Sequence, residues 1–132
     1  MKRTAGIGAL SAMLLAASLA QAADPLDAIT AAARSDKTFS GFSAERGAVL
    51  WRTKGKDWSC STCHTTDPRK PGRHTVTGKT IQPMAPASNP KRFTDSAKVE
   101  KWFKRNCRDV FERECTAREQ GDVITWLRSI TP

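Results

Sequence analysis

Residues 60–64 read Cys-Ser-Thr-Cys-His. Two thiols two residues apart, with an imidazole directly after the second, make a set suited to iron chemistry. A C-x-x-C spacing brings both sulfurs to one side of a helical turn. Cys60 and Cys63 can then each add a thiol across a haem vinyl group, giving two thioether links, and His64 can turn its ring to the iron. A thioredoxin-like dithiol needs strands around the motif, and no convincing strand is visible. A structural zinc site needs two more ligands at similar spacing. The expectation is one covalently bound haem c, with His64 as proximal iron ligand.

The ligand on the other face of the iron separates an electron carrier from a gas binder. Met84 lies twenty residues past His64, and a thioether there gives a carrier of raised potential. In ordinary small cytochromes c the ligand methionine sits further along, after a helix, so packing on the haem edge is the better reading of Met84. His74 lies in the basic, polar stretch Arg-Lys-Pro-Gly-Arg-His-Thr; Lys79, or an open position, is a further option. Asn106 follows a helical segment, forty-two residues after His64, where a class I cytochrome c places its axial ligand. The competing reading of Asn106 is a helix C-cap, and spacing alone does not choose between the two. Cys107 and Cys115 remain as an even pair eight residues apart. In an oxidising compartment such a pair reads as a disulfide, stabilising by roughly 2.5 kcal/mol on the chain-entropy model. It would fix the segment that carries Asn106.

The elements that must position these groups are helical. Asp24 and Pro25 open a first helix in the stretch Ala-Asp-Pro-Leu-Asp-Ala-Ile-Thr-Ala-Ala-Ala-Arg-Ser. A second helix spans 43–52 with Ser43 as N-cap. Gly47 within it costs roughly 1 kcal/mol of helix propensity, which points to a close approach by another element. A third helix starts after Thr94 or Asp95 and puts Val99, Trp102, Phe103 and Asn106 on one face. A fourth spans 116–130, with Thr116 and Glu119 as a capping box. The stretch from Thr65 to Lys91 carries five prolines, which stop helices and central strands alike. A loop that long should wrap around something, and a haem serves. The class is all-α, with about four helices.

The 132-residue length fits one domain. Lys2 and Arg3, an apolar run from Ala5 to about Ala20, and Ala20-Gln21-Ala22 read as a secretory signal peptide over 1–22. That leaves a cytochrome c domain over 23–132, exported to a compartment such as a bacterial periplasm. The formal charge is +9, or +7 without Lys2 and Arg3. Residues 52–79 and 91–108 each carry seven basic and two acidic groups. These basic stretches flank the haem motif and the Asn106 helix, and would receive an acidic redox partner in a salt-dependent way. Nucleic acid is not expected as a partner of an exported chain.

The stretch Arg-Phe-Thr-Asp-Ser-Ala-Lys-Val-Glu-Lys-Trp-Phe-Lys-Arg-Asn-Cys-Arg-Asp-Val-Phe-Glu-Arg-Glu-Cys (92–115) resembles the sphaeroides haem protein family. So do residues 44–51, 60–67, 77–90 and 126–130. The resemblance implies a class I cytochrome c fold with high-spin haem, His64 as proximal ligand and Asn106 as an unusual asparagine ligand. It also implies a Cys107–Cys115 disulfide. Release of the asparagine on reduction and binding of oxygen and nitric oxide are implied too. Its implied partners are a dihaem cytochrome c and a membrane cytochrome b. Met84 stands where some relatives have leucine, which argues against it as ligand. The rival functions are a plain His64/Met84 electron carrier and an enzyme such as a peroxidase or nitric oxide scavenger. Peroxidatic haems need a distal acid–base group; His74 is the only spare histidine, and nothing in the sequence places it near the haem, so the expectation is a protein without enzymatic turnover.

Overall fold

The computed structural model describes residues 23–132. The expected signal peptide over 1–22 lies outside the described residues. The four expected helices are present. α1 (Pro25–Ala33) starts with Pro25 at its first position, and the Asp24 carboxylate accepts from Leu26 N at 2.9 Å. α2 (Ala44–Arg52) is capped by Ser43 Oγ, which accepts from Arg46 N at 3.1 Å. The haem-motif residues form a short additional helix, α3 (Cys60–His64). α4 (Ser96–Phe111) is capped by Asp95, and α5 (Ala117–Ser129) by Thr116. The Thr116–Glu119 capping box is closed in both directions, at 3.2 and 2.8 Å.

Three expectations need correction. First, a minimal antiparallel ladder exists: β1 (Gly72–Arg73) pairs with β2 (Thr80–Ile81), Gly72 opposite Ile81. Two-residue strands carry too little alternation to read from sequence. The turn between them is closed by His74, whose Nδ1 accepts from Val76 N and Thr77 N. Second, α4 runs five residues past Asn106, so that residue is no C-cap; Glu112, at φ 56°, takes the left-handed terminal position instead. Third, Trp102 is 47% exposed, with Lys101 and Arg105 against its ring. The buried line of α4 is Val99, Cys107 and Val110, with Phe103 and Asn106 half-buried beside it.

The core forms where α2 crosses α5, and α1 packs on α5 as well. Gly47 permits that crossing: a Cβ there would lie 2.1 Å from the Asp122 carbonyl oxygen and 2.9 Å from Trp126 Cβ. One turn on, Trp51 is buried against Val123 and Leu127. Asp122 is buried too, and its carboxylate accepts from Ser43 N (2.7 Å), Arg46 Nε (2.7 Å) and Arg46 Nη2 (2.8 Å). It thereby pins the start of α2 to α5. The Arg128–Asp24 pair, at 2.8 Å, ties α1 to α5 on the outside. α4 differs: it makes only sparse backbone approaches to the other helices. It is joined to the loop before α5 by the Cys107–Cys115 disulfide, with the two Cα atoms 5.6 Å apart.

Because a Cβ at position 47 would meet backbone and not a movable side-chain end, Gly47→Ala should separate α2 from α5. We expect a loss of about 2 kcal/mol or more, measured by denaturant unfolding of the purified protein. Ala48→Gly, elsewhere on the same helix, should cost only about 1 kcal/mol.

Candidate functional site

α3 is too short to hold itself, and its neighbours fix both ends. At the start, Ser59 N donates to Thr62 Oγ1 at 2.9 Å, and the Ser59 hydroxyl lies within hydrogen-bond distance of Ser61 and Thr62. At the end, Thr65 adopts φ 68°, ψ 164°, a region that only glycine enters without strain. The Trp51 indole Nε1 donates to the Thr65 carbonyl at 2.9 Å and holds that turn. Trp51 also lies beside the imidazole of His64, with ring centroids 5.5 Å apart. Behind α3, a Cβ at Gly72 would lie 2.0 Å from the Cys63 carbonyl oxygen and 2.9 Å from His64 Cα. The β1–β2 hairpin therefore packs directly on the motif backbone, and Thr75 Oγ1 reaches Cys63 Sγ at 3.6 Å.

The site's chemistry follows from burial. Burial, then the nearby charges of Arg92 and His74, lower the His64 pKa to about 4. The imidazole is therefore neutral at physiological pH, the form that ligates a metal. Burial pushes the Cys60 thiol up to about 11, so it stays protonated. His64 Nδ1 is buried without a hydrogen-bond partner.

Across from α3, the proline-rich loop is stapled over the motif: Met84 N and Ala85 N both donate to the Pro68 carbonyl, at 2.9 and 3.0 Å. Met84, Cys60, Phe93 and Phe103 all pack, only partly buried, against the Trp51–Val123–Leu127 cluster. Asn106 shares the inward face of α4, and its amide takes no hydrogen-bond partner among the described residues. His74 sits in the hairpin with Nδ1 committed to the turn, and its N–H donates to Lys79 O at 2.9 Å. Lys79 is exposed.

These features fit a c-type haem. One neutral, half-buried imidazole stands beside two cysteines. Apolar side chains are left half-covered at the edge of the core, and a helix bearing a free amide has no helix packed closely on it. A flat macrocycle would fill that space. Among the described residues no group of three or more His, Cys, Asp or Glu side chains gathers as for a bare ion, so a zinc reading lacks its further ligands.

Comparison with known proteins agrees. The family model described as domain of unknown function DUF1924 matches residues 37–127. The cytochrome c-type protein SHP of Cereibacter sphaeroides is 51% identical over 89 residues, covering 64% of this chain and 68% of that protein. The chain belongs to the sphaeroides haem protein family. A solved structure described as oxidized SHP, an oxygen-binding cytochrome c, superposes with a TM-score of 0.71 at 41% identity. It covers 80% of this chain and 94% of that one. Oxidized cytochrome c'' from Methylophilus methylotrophus gives a TM-score of 0.71 at 31% identity, over 82% and 96% of the two chains. The fold is thus the all-α class I cytochrome fold of this family, and the protein is a cytochrome with a c-type haem.

Two positioning roles were not visible in the sequence. Trp51 reads there as a core residue, and its bond to Thr65 needs the fold. Gly72 follows a proline, a turn signal, but nothing in that signal says which backbone it must admit. Gly72→Ala should displace the hairpin from α3. We expect less covalent haem per protein, measured as haem absorbance against protein mass.

Proposed function

We propose that Cys60 and Cys63 would hold one haem by thioether bonds and that His64 and Asn106 would be the protein ligands of its iron in the ferric protein. Each thiol would add across a vinyl double bond: the sulfur bonds one carbon, the hydrogen goes to the other, and no oxidant is needed. The group, when bound, would supply one-electron redox chemistry and an iron site open to a diatomic molecule once Asn106 has left. The observation that carries this reading is the inward face of α4. Val99, Phe103 and Val110 share that face with Asn106, whose half-buried amide takes no protein partner among the described residues and so keeps its oxygen available to iron. The related structure described as an oxygen-binding cytochrome c supports the ligand class.

The chain's own residues account for the gating. The amide oxygen of Asn106 is a hard, neutral, weak donor, which ferric iron accepts better than the softer ferrous state. Reduction by a redox partner would weaken its hold and let the side chain turn aside. Its NH₂ group keeps a hydrogen-bond donor on that face for the incoming oxygen or nitric oxide. Met84 is the rival ligand, and its packing against the same core cluster as Cys60 and Phe103 is what favours it; that reading makes the protein a plain electron carrier. We assign no enzymatic turnover, since His74 spends its Nδ1 on the hairpin turn. The setting we propose is the periplasm, with a dihaem cytochrome c and a membrane cytochrome b as electron donors. They would dock on the outer side of α4, where Lys101 and Arg105 lie against the exposed Trp102 ring and Lys104 and Arg108, both beside Glu114, continue the basic surface.

Optical spectra test the ligand. The reduced protein should be high-spin and shift sharply with carbon monoxide, and Asn106→Ala should replace the ferric spectrum with that of a five-coordinate or water-bound haem. A sharp low-spin ferrous spectrum, indifferent to carbon monoxide, would give the site to Met84. Stopped-flow reduction by an acidic dihaem cytochrome c tests the docking face. Raising salt to physiological strength should slow it, and Trp102→Ala should weaken partner binding about tenfold. A salt-independent rate overturns the docking face.

A further inference from the structure

Arginines in this protein mostly have carboxylates. Arg46, Arg69, Arg113, Arg118 and Arg128 each pair with an Asp or Glu. Among the described residues only Arg92 and Arg118 are half-buried cations. Arg118 reaches Asp36 at 2.8 Å. Arg92 reaches no carboxylate at all among the described residues. Its Nε donates to Pro83 O at 2.8 Å and its Nη2 to Gln82 O at 2.6 Å. Two carbonyl dipoles orient the guanidinium but do not cancel its charge, and its remaining N–H donors have no partner among the described residues. A partly desolvated cation without a counter-ion is costly.

The surroundings hold Arg92 in that position. The carbonyl of Pro83 also accepts from Asn89 Nδ2 at 3.2 Å. The next residues along the same loop, Met84 and Ala85, are tied to Pro68, four residues past His64. Phe93, directly after Arg92, sits at φ 59°, a genuine outlier for an aromatic residue. It packs against the core, and Arg128 Nη2 donates to its carbonyl at 3.4 Å. Strain of this kind persists where the neighbours over-determine a ligand clamp. The guanidinium charge also helps to lower the His64 pKa, so Arg92 lies within electrostatic reach of the imidazole.

We propose that the Arg92 guanidinium is a carboxylate seat, and that its occupant is a propionate of the haem. This rests on the haem reading above. Arginine suits the task because its planar fork meets a carboxylate with two parallel N–H bonds. The pair keeps the propionate ionised through neutral pH and cancels its charge near the iron. A free anion from solvent has the same chemistry and is the other source to be excluded.

The experiment is a spectroelectrochemical titration of the purified holoprotein across the acid-to-neutral range, for wild type, Arg92→Lys and Arg92→Gln. In wild type the midpoint potential should stay flat with pH. Removing the cation should raise the propionate pKa by about 1–3 units. The Arg92→Gln potential should therefore fall and acquire a step in which reduction takes up a proton. Arg92→Lys keeps the charge and should show a smaller change. An Arg92→Gln protein with full haem content and the wild-type profile overturns the proposal. So does a wild-type potential that tracks added phosphate, which would make the occupant a free anion. If Arg92→Gln fails to fold, resonance Raman decides. The propionate-bending band should be fixed with pH in wild type and displaced in Arg92→Lys. A band that is identical in both and titrates like a solvated carboxyl overturns it. Wild-type protein without covalent haem would instead bring down the haem reading itself.

Discussion

The close approach of α2 to α5 at Gly47 is the constraint on which the site depends. It allows Trp51, one turn further on, to enter the core against Val123 and Leu127. From that fixed position the indole reaches the Thr65 carbonyl and lies beside the His64 ring. A missing side chain on one helix is thus transmitted, through a single tryptophan, to the orientation of the imidazole proposed to bind iron. The buried Asp122 carboxylate enforces the same crossing by binding Ser43 N and Arg46 from α5.

The other half of the molecule is organised differently. α4 and the proline-rich loop meet the α2–α5 core mainly through Phe93, Phe103 and Met84 at its edge, not by helix-to-helix crossings. A chain of this size has little core to spare, and burying a macrocycle at roughly 25 cal/mol per Å² adds what the helices do not supply. In this view the haem is part of the core as well as the functional group, and α4 is assembled on it. The loop follows the same logic: its prolines forbid regular structure, and its backbone is satisfied locally and at Pro68 instead.

Much of this was legible in the residues themselves. Caps at Asp24, Ser43, Asp95 and Thr116 marked where helices begin, because orphan N–H groups need oxygen acceptors nearby. Gly47 announced a close approach, since it sits where any side chain would favour the helix more. What failed to show was long-range or marginal. The face of α4 was drawn to include Trp102, because periodicity assigns a stripe but not its edge, and the lysine and arginine beside the indole let it stay in water. The β1–β2 pairing is two residues long and leaves no pattern. Arg92 looked like one more member of a basic run; only the fold shows that, among the described residues, it alone of the half-buried cations has no acid to meet.

The disulfide gives α4 an unusual mechanical character. It grips the helix at Cys107, the residue next to Asn106, and ties that point to the loop leading into α5. The helix thus has a fulcrum beside its proposed ligand, and sliding or rocking of the whole element would have to strain a covalent link. Under the proposed gating, motion at Asn106 would thereby be confined to the side chain. Such a lid would swing on one or two torsions, need no repacking of the core, and return to the same place each time it shut.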